Sequence, residues 1–114
     1  MDVKIIRKKD ARNFLEGPEH CREYLRTDKI LFGTSTLAAG QRGAIDTGHT
    51  HSHEIFFVSR GHVLLYIEER DEYFELEEED VILMPEGVSH TLINVGEETA
   101  VVTWSMAPPE NGEK

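Results

Sequence analysis

The sequence predicts an all-β domain of antiparallel strands, and three observations carry that prediction. From Lys29 onward, short segments rich in β-branched, aromatic and alternating apolar residues recur at near-regular spacing. Turn-forming residues separate them, among them Gly40, Gly61, Pro85, Gly96 and the pair Pro108-Pro109. The length of 114 residues suffices for one hydrophobic core and leaves no room for a second.

Taken in order, Val3 to Arg7 is a short apolar patch in a basic surround and reads as an edge strand. Gly17-Pro18 opens a short helix, because proline suits the first helical position and Cys21, Tyr24 and Leu25 recur at i, i+3 and i+4. Residues 1–28 thus form an N-terminal segment whose helix packs on the outside of the domain. The strands follow within residues 29–107: Ile30 to Leu37, Glu54 to Ser59, His62 to Glu69, Tyr73 to Leu76, Val81 to Met84, Thr91 to Val95 and Thr99 to Met106. Such spacing suits a sandwich or barrel. Residues 108–114 read as a flexible tail, and no solenoid period repeats along the chain.

Charge narrows the function classes. The formal net charge of −10 repels phosphate backbones and anionic membrane surfaces, and no Lys/Arg cluster offsets it locally, so no nucleic acid and no membrane is expected as a partner. Much of the acid lies between Glu68 and Asp80, where it alternates with apolar residues and lacks the spacing of a calcium loop; it reads as a solvated strand face and hairpin tip. The charged stretch Met1 to Arg12 shows no secretory signal, and the single cysteine, Cys21, suits a reducing compartment. A cytoplasmic protein is the expectation.

Chemistry concentrates between Gly43 and Gly61, where His49, His51 and His53 stand beside Glu54. Imidazole nitrogens and a carboxylate oxygen are what divalent transition metals accept, and an extended segment aims alternate side chains at one point. His90 follows the turn Pro85-Glu86-Gly87 at the mouth of a later strand, where it can complete a coordination sphere. The third ligand of the first stretch has two candidates. In an unbroken strand His49, His51 and His53 share a face and Glu54 points away; a bulge near Ser52 returns Glu54 to the metal side, together with Phe56 and Val58. Candidate cavity-lining positions are Phe32, Thr34 and Thr36 on one strand face, with Phe56, Val58, Tyr66, Met84, Trp104 and Met106 on others.

These two stretches resemble the signature motifs of the cupin superfamily. The first family motif, G-x5-H-x-H-x3-4-E-x6-G, is met by Gly43, His49, His51, Glu54 and Gly61, with only two residues between His51 and Glu54. The second, G-x5-P-x-G-x2-H-x3-N, is met by Pro85, Gly87, His90 and Asn94, with Glu79 at the opening glycine. The resemblance covers about residues 30 to 106. It implies an antiparallel double-stranded β-helix, the jelly-roll or cupin barrel, with His49, His51, Glu54 and His90 binding one divalent transition metal, Fe, Mn, Zn or Ni, and His53 as the alternative to Glu54. The family pattern favours Glu54, which stands seven residues before Gly61. It also implies that Pro85 and Gly87 form the turn, that Asn94 is structural, and that the chain is a homodimer whose N-terminal segments cover sheet edges.

Three imidazoles and one carboxylate leave a coordination position open for a small-molecule ligand. One function is therefore a metal-dependent enzyme acting on a small organic acid or sugar-type substrate, with the dioxygenase, isomerase or lyase chemistry the resemblance allows. The other is a non-catalytic small-molecule-binding or sensing module, since fold does not fix function.

Overall fold

The computed structural model describes residues 2–109. Among them the strands are β1 (Arg12–Glu16), β2 (Glu19–Arg26), β3 (Leu31–Leu37), β4 (His53–Arg60), β5 (Val63–Ile67), β6 (Glu72–Leu76), β7 (Val81–Met84), β8 (Thr91–Asn94) and β9 (Ala100–Ala107). They form a six-stranded sheet in the order β1-β2-β3-β9-β4-β7 and a three-stranded sheet in the order β6-β5-β8, with every pairing antiparallel. Neither sheet closes on itself among the described residues, so the arrangement is two sheets and not the closed barrel expected. Two isolated bridges, Arg42↔Ile93 and Asp46↔His90, lay the segment after β3 along β8.

The sheets share one core. Phe56, Val58, Val102, Trp104 and Met106 of the larger sheet belong to the same buried cluster as Val63, Leu65 and Leu92 of the smaller one. Trp104 faces Gly33 across the β3–β9 ladder, and its indole occupies the space a side chain there would need: a Cβ on Gly33 would stand 2.1 Å from the ring. The indole N–H donates to Ser35 Oγ at 3.0 Å, which removes the cost of burying it. The inward face of β3 is Leu31, Gly33, Ser35 and Leu37, so Phe32, Thr34 and Thr36 occupy the opposite face from the one expected to line a cavity. Alternation fixes which residues travel together and leaves open which set turns inward.

The N-terminal region departs furthest from expectation. The residues read as a short helix are strand β2, paired with β1 through a hairpin at Gly17-Pro18 and with β3 on its other side. Gly17 takes φ +54, as suits the first position of a hairpin turn that opens on glycine. The i, i+3, i+4 spacing marks no common face in the strand: Cys21 pairs with inward Ser35, whereas Leu25, beyond a register shift at Glu23/Leu25, pairs with Phe32 on the opposite face. The N-terminal helical structure is a single 3-10 turn at Lys8–Asp10. Val3 to Arg7 carries no strand, and Val3 and Ile5 are exposed: the edge position they were expected to take is filled by β1. Of the expected tail, residues 110–114 lie outside the described residues, while the Pro108 carbonyl accepts a hydrogen bond from Ser52 Oγ. Among the described residues no helix is long and apolar enough to cross a membrane.

Candidate metal centre

Two loops and one strand build the site. β4 runs in alternation, with Glu54, Phe56 and Val58 buried and His53, Ile55 and Phe57 on the other face. Glu54 is therefore the inward member of the competing pair. The His53 side chain is 60% exposed and lies 3.5 Å from Glu86. His49 precedes the strand in an irregular segment, so the two-residue alternation does not extend to it. Its Nε2 nevertheless lies 3.0 Å from Glu54 Oε1, both side chains being buried.

Backbone pairing delivers the remaining groups. Asp46 and His90 exchange N–H···O bonds of 2.8 and 2.9 Å, and the Gly87 amide donates to the His49 carbonyl at 2.7 Å. These bonds clamp the 46–49 loop onto the 86–90 turn. Gly48 makes the approach possible: its φ is +90, and a Cβ there would lie 2.9 Å from the Val88 carbonyl oxygen. The Asp46 carboxylate turns back to accept the Gly48 amide at Oδ1, at 3.0 Å, leaving Oδ2 3.6 Å from His90 Nε2. Phe56 packs edge-on against the His90 ring at 5.2 Å.

The orientation of His90 is chemically informative. Its Nδ1 lies 3.0 Å from the Val88 carbonyl, which can only accept, so Nδ1 donates there and Nε2 is the atom turned toward the cluster. That Nε2 has no hydrogen-bond partner, is buried, and faces two carboxylates, Asp46 Oδ2 at 3.6 Å and Glu54 Oε1 at 3.9 Å. One imidazole nitrogen and two carboxylate oxygens thus converge on a common point, as the ligands of a cation do. Asp46, His49 and Glu54 offer ligand atoms that all lie within 4.8 Å of one another, a grouping able to hold a metal ion. The donor set of imidazole nitrogen and carboxylate oxygen fits a divalent transition metal.

Of the residues the sequence singled out, His49, Glu54 and His90 are thus brought together and buried. His51 is exposed and stands outside the cluster, on the irregular loop. Asp46 was missed. The signal for this arrangement lay in the short gap between His51 and Glu54. Taking His49 as the second histidine of the family motif restores a gap of four residues to Glu54 and places Thr47 at the first histidine.

A small pocket meets this cluster at Asp46 and His90. Its other walls include Glu16 and Glu19 from the β1–β2 hairpin, Ser35 of β3, and Phe56 and Leu92. Phe56 is the single wall residue shared with the cavity lining expected from sequence; Val58, Met84, Trp104 and Met106 are core.

The sequence profile described as Cupin domain matches residues 33–106. No curated protein is similar to the chain in sequence. Among solved structures, a double-stranded β-helix protein from Klebsiella pneumoniae superposes with a TM-score of 0.80 at 20% identity, covering 99% of this chain and 100% of that one. KdgF from Halomonas sp. gives 0.79 at 15% identity, over 96% of this chain and 97% of that one. A predicted oxalate decarboxylase from Thermotoga maritima gives 0.76 at 15% identity, over 93% and 100%. At these identities the likeness is one of fold.

Proposed function

The chain belongs to the cupin family, and from that premise we propose that it binds one divalent transition metal (Fe, Mn, Zn or Ni) through His49, Glu54 and His90, with Asp46 in place of His51. The observation that carries this reading is the convergence of the buried His90 Nε2 with the Asp46 and Glu54 carboxylates. The Val88 carbonyl fixes the tautomer, as second partners of metal-bound histidines do. An ion so bound supplies a Lewis-acid centre with a position open to ligand or water. Phe56 and Leu92 limit water at the cavity wall, while Ser35 and the carboxylates offer hydrogen-bond acceptors to whatever enters. In this reading the protein is a metal-dependent enzyme for a small organic-acid or sugar-type substrate, of dioxygenase, isomerase or lyase type.

Elemental analysis of the full chain and of five alanine variants tests the ligand set. Near-stoichiometric metal is expected in the native chain, His51→Ala and His53→Ala, with loss in Glu54→Ala and His90→Ala and a marked reduction in Asp46→Ala. Full occupancy in Glu54→Ala with loss in His53→Ala would refute it. Incubating the loaded protein with keto acids, catechols and sugars while following oxygen and products then separates an enzyme from a binding module, which would retain a ligand unchanged.

We also propose a homodimer. β7 is an open edge of the larger sheet, and beside it Ile55 pairs with Leu83 and Phe57 with Val81 on the outward face. All four side chains are exposed, forming an apolar strip that suits burial against a second copy.

A further inference from the structure

A second carboxylate stands where the motif leads one to expect a third imidazole. His51 is exposed on the loop, and Asp46 joins His49, Glu54 and His90 in its stead. The fold holds Asp46 there from two sides. Its backbone exchanges bonds of 2.8 and 2.9 Å with that of His90, which fixes where the residue sits, and the Gly48 amide donates to its Oδ1 at 3.0 Å. Oδ2 is thereby turned toward the cluster, 3.6 Å from His90 Nε2. Glu54, whose side chain is fully buried, supplies the other carboxylate; its Oε1 lies 3.0 Å from His49 Nε2 and 3.9 Å from His90 Nε2. The donor set is therefore two imidazoles and two carboxylates.

Resting on the metal reading above, we infer that Asp46 tunes the centre toward Mn²⁺, by compressing the advantage that Zn²⁺ and Ni²⁺ hold at imidazole-rich sites. Divalent ions of the first transition row differ in affinity for the same donors, with Mn²⁺ at the weak end, but how steeply they differ depends on the donor. Imidazole nitrogen suits Zn²⁺ and Ni²⁺, whereas carboxylate oxygen suits Mn²⁺. The reason is that a carboxylate attracts largely through its charge, and all these ions carry the same charge. Exchanging one imidazole for one carboxylate therefore flattens the order. It also changes the charge of the occupied centre. Asp46 and Glu54 together balance a dication, while three imidazoles and one carboxylate would leave one positive charge uncompensated. With the order flattened, supply decides occupancy, and Mn²⁺ competes where an imidazole-rich centre would exclude it.

The test is competition titration of the full chain with Mn²⁺ and with Zn²⁺ against a chromophoric chelator, bound Mn²⁺ being counted in parallel by electron paramagnetic resonance. Asp46→His restores a third imidazole and should raise the ratio of Zn²⁺ to Mn²⁺ affinity at least about tenfold. Asp46→Asn keeps the shape of the side chain and an oxygen for the Gly48 amide while removing the charge. It should weaken both ions by about tenfold or more and leave their ratio within about threefold of the native value. An unchanged ratio in Asp46→His, or native affinities in Asp46→Asn, would overturn the inference; metal still bound by the native chain then leaves the site itself standing. Should circular dichroism show that Asp46→His does not fold, the Asp46→Asn affinities decide alone. A native chain that binds neither ion would overturn the metal reading and this inference with it.

Discussion

Replacing Gly48 by alanine should damage the metal centre without touching a ligand. Two costs add. Holding a residue with a Cβ at φ +90 costs about 1–2 kcal/mol. The new methyl also meets Val88 O at 2.9 Å and Val88 N and C at 3.0 Å, all backbone atoms, so no side chain can rotate away and the 86–90 turn must recede. Overpacking of that kind costs about 1–3 kcal/mol, for a total of about 2–5 kcal/mol. Gly40 separates the two terms: it has φ +77, and a Cβ there would meet nothing within 4 Å, so Gly40→Ala carries the backbone cost alone. At roughly 4 °C per kcal/mol for a chain of this size, Gly48→Ala should lower Tm by about 8–20 °C and Gly40→Ala by about 4–8 °C. Scanning calorimetry of chelator-treated protein reads these shifts. Because the displaced turn carries His90, competition titration with Zn²⁺ should show affinity lowered by about tenfold or more in Gly48→Ala and unchanged in Gly40→Ala. Equal Tm values for the two variants, with metal affinity intact in both, would refute the clamp between the loops.

Further outcomes follow from other positions. Glu79 stands at the family's glycine position and holds φ +69, so Glu79→Gly should raise Tm by about 2–4 °C, with relief of strain outweighing the added chain entropy; an unchanged or lower Tm contradicts this. Leu83→Glu places a charge in the apolar strip and should give a single-chain mass in sedimentation where the native protein is a dimer at micromolar concentration; a native monomer removes the basis of the proposal. Tyr66 donates its phenol to Asp71 at 3.1 Å, and that hydrogen bond, with partial desolvation and the nearby charge of Asp71, raises its pKa above the usual 10. The contribution to stability is full below the unfolded value and is lost as pH rises through the folded one. Absorbance titration should show a late-ionising tyrosine that reverts toward 10 in Asp71→Asn.

How far the sequence reached can be judged strand by strand. β3 to β9 are legible because each is a local statement: an apolar or alternating run, β-forming residues, and a turn residue at its end. Val81–Met84 was read to the residue, its end set by Pro85, for that reason. Alternation within β4 likewise set Glu54, Phe56 and Val58 against His53, Ile55 and Phe57 before any coordinates were needed. β2 was misread because the apolar spacing of Cys21, Tyr24 and Leu25 fits a helix, and what makes the segment a strand is the presence of β1 and β3 to take up its backbone hydrogen bonds.

The site divides along the same line. His49, Glu54 and His90 were legible as metal-type donors from residue type and motif, which sequence carries directly. Asp46 was not, because an acidic residue in a loop has no local mark. It reaches His90 through a backbone bridge between distant segments, formed only once Gly48 lets the loop settle on Val88. Glu19 shows the same limit more sharply. The residues around it predict an outer helix; the fold turns them into a hairpin that carries two carboxyl groups to the cavity wall. The sequence by itself determined the donor chemistry and the strand pattern, since both reside in residue type and near-neighbour spacing. The tertiary structure decided which donors converge and what surrounds them, because convergence depends on pairings between residues far apart in the chain, whose alternatives differ little in local free energy.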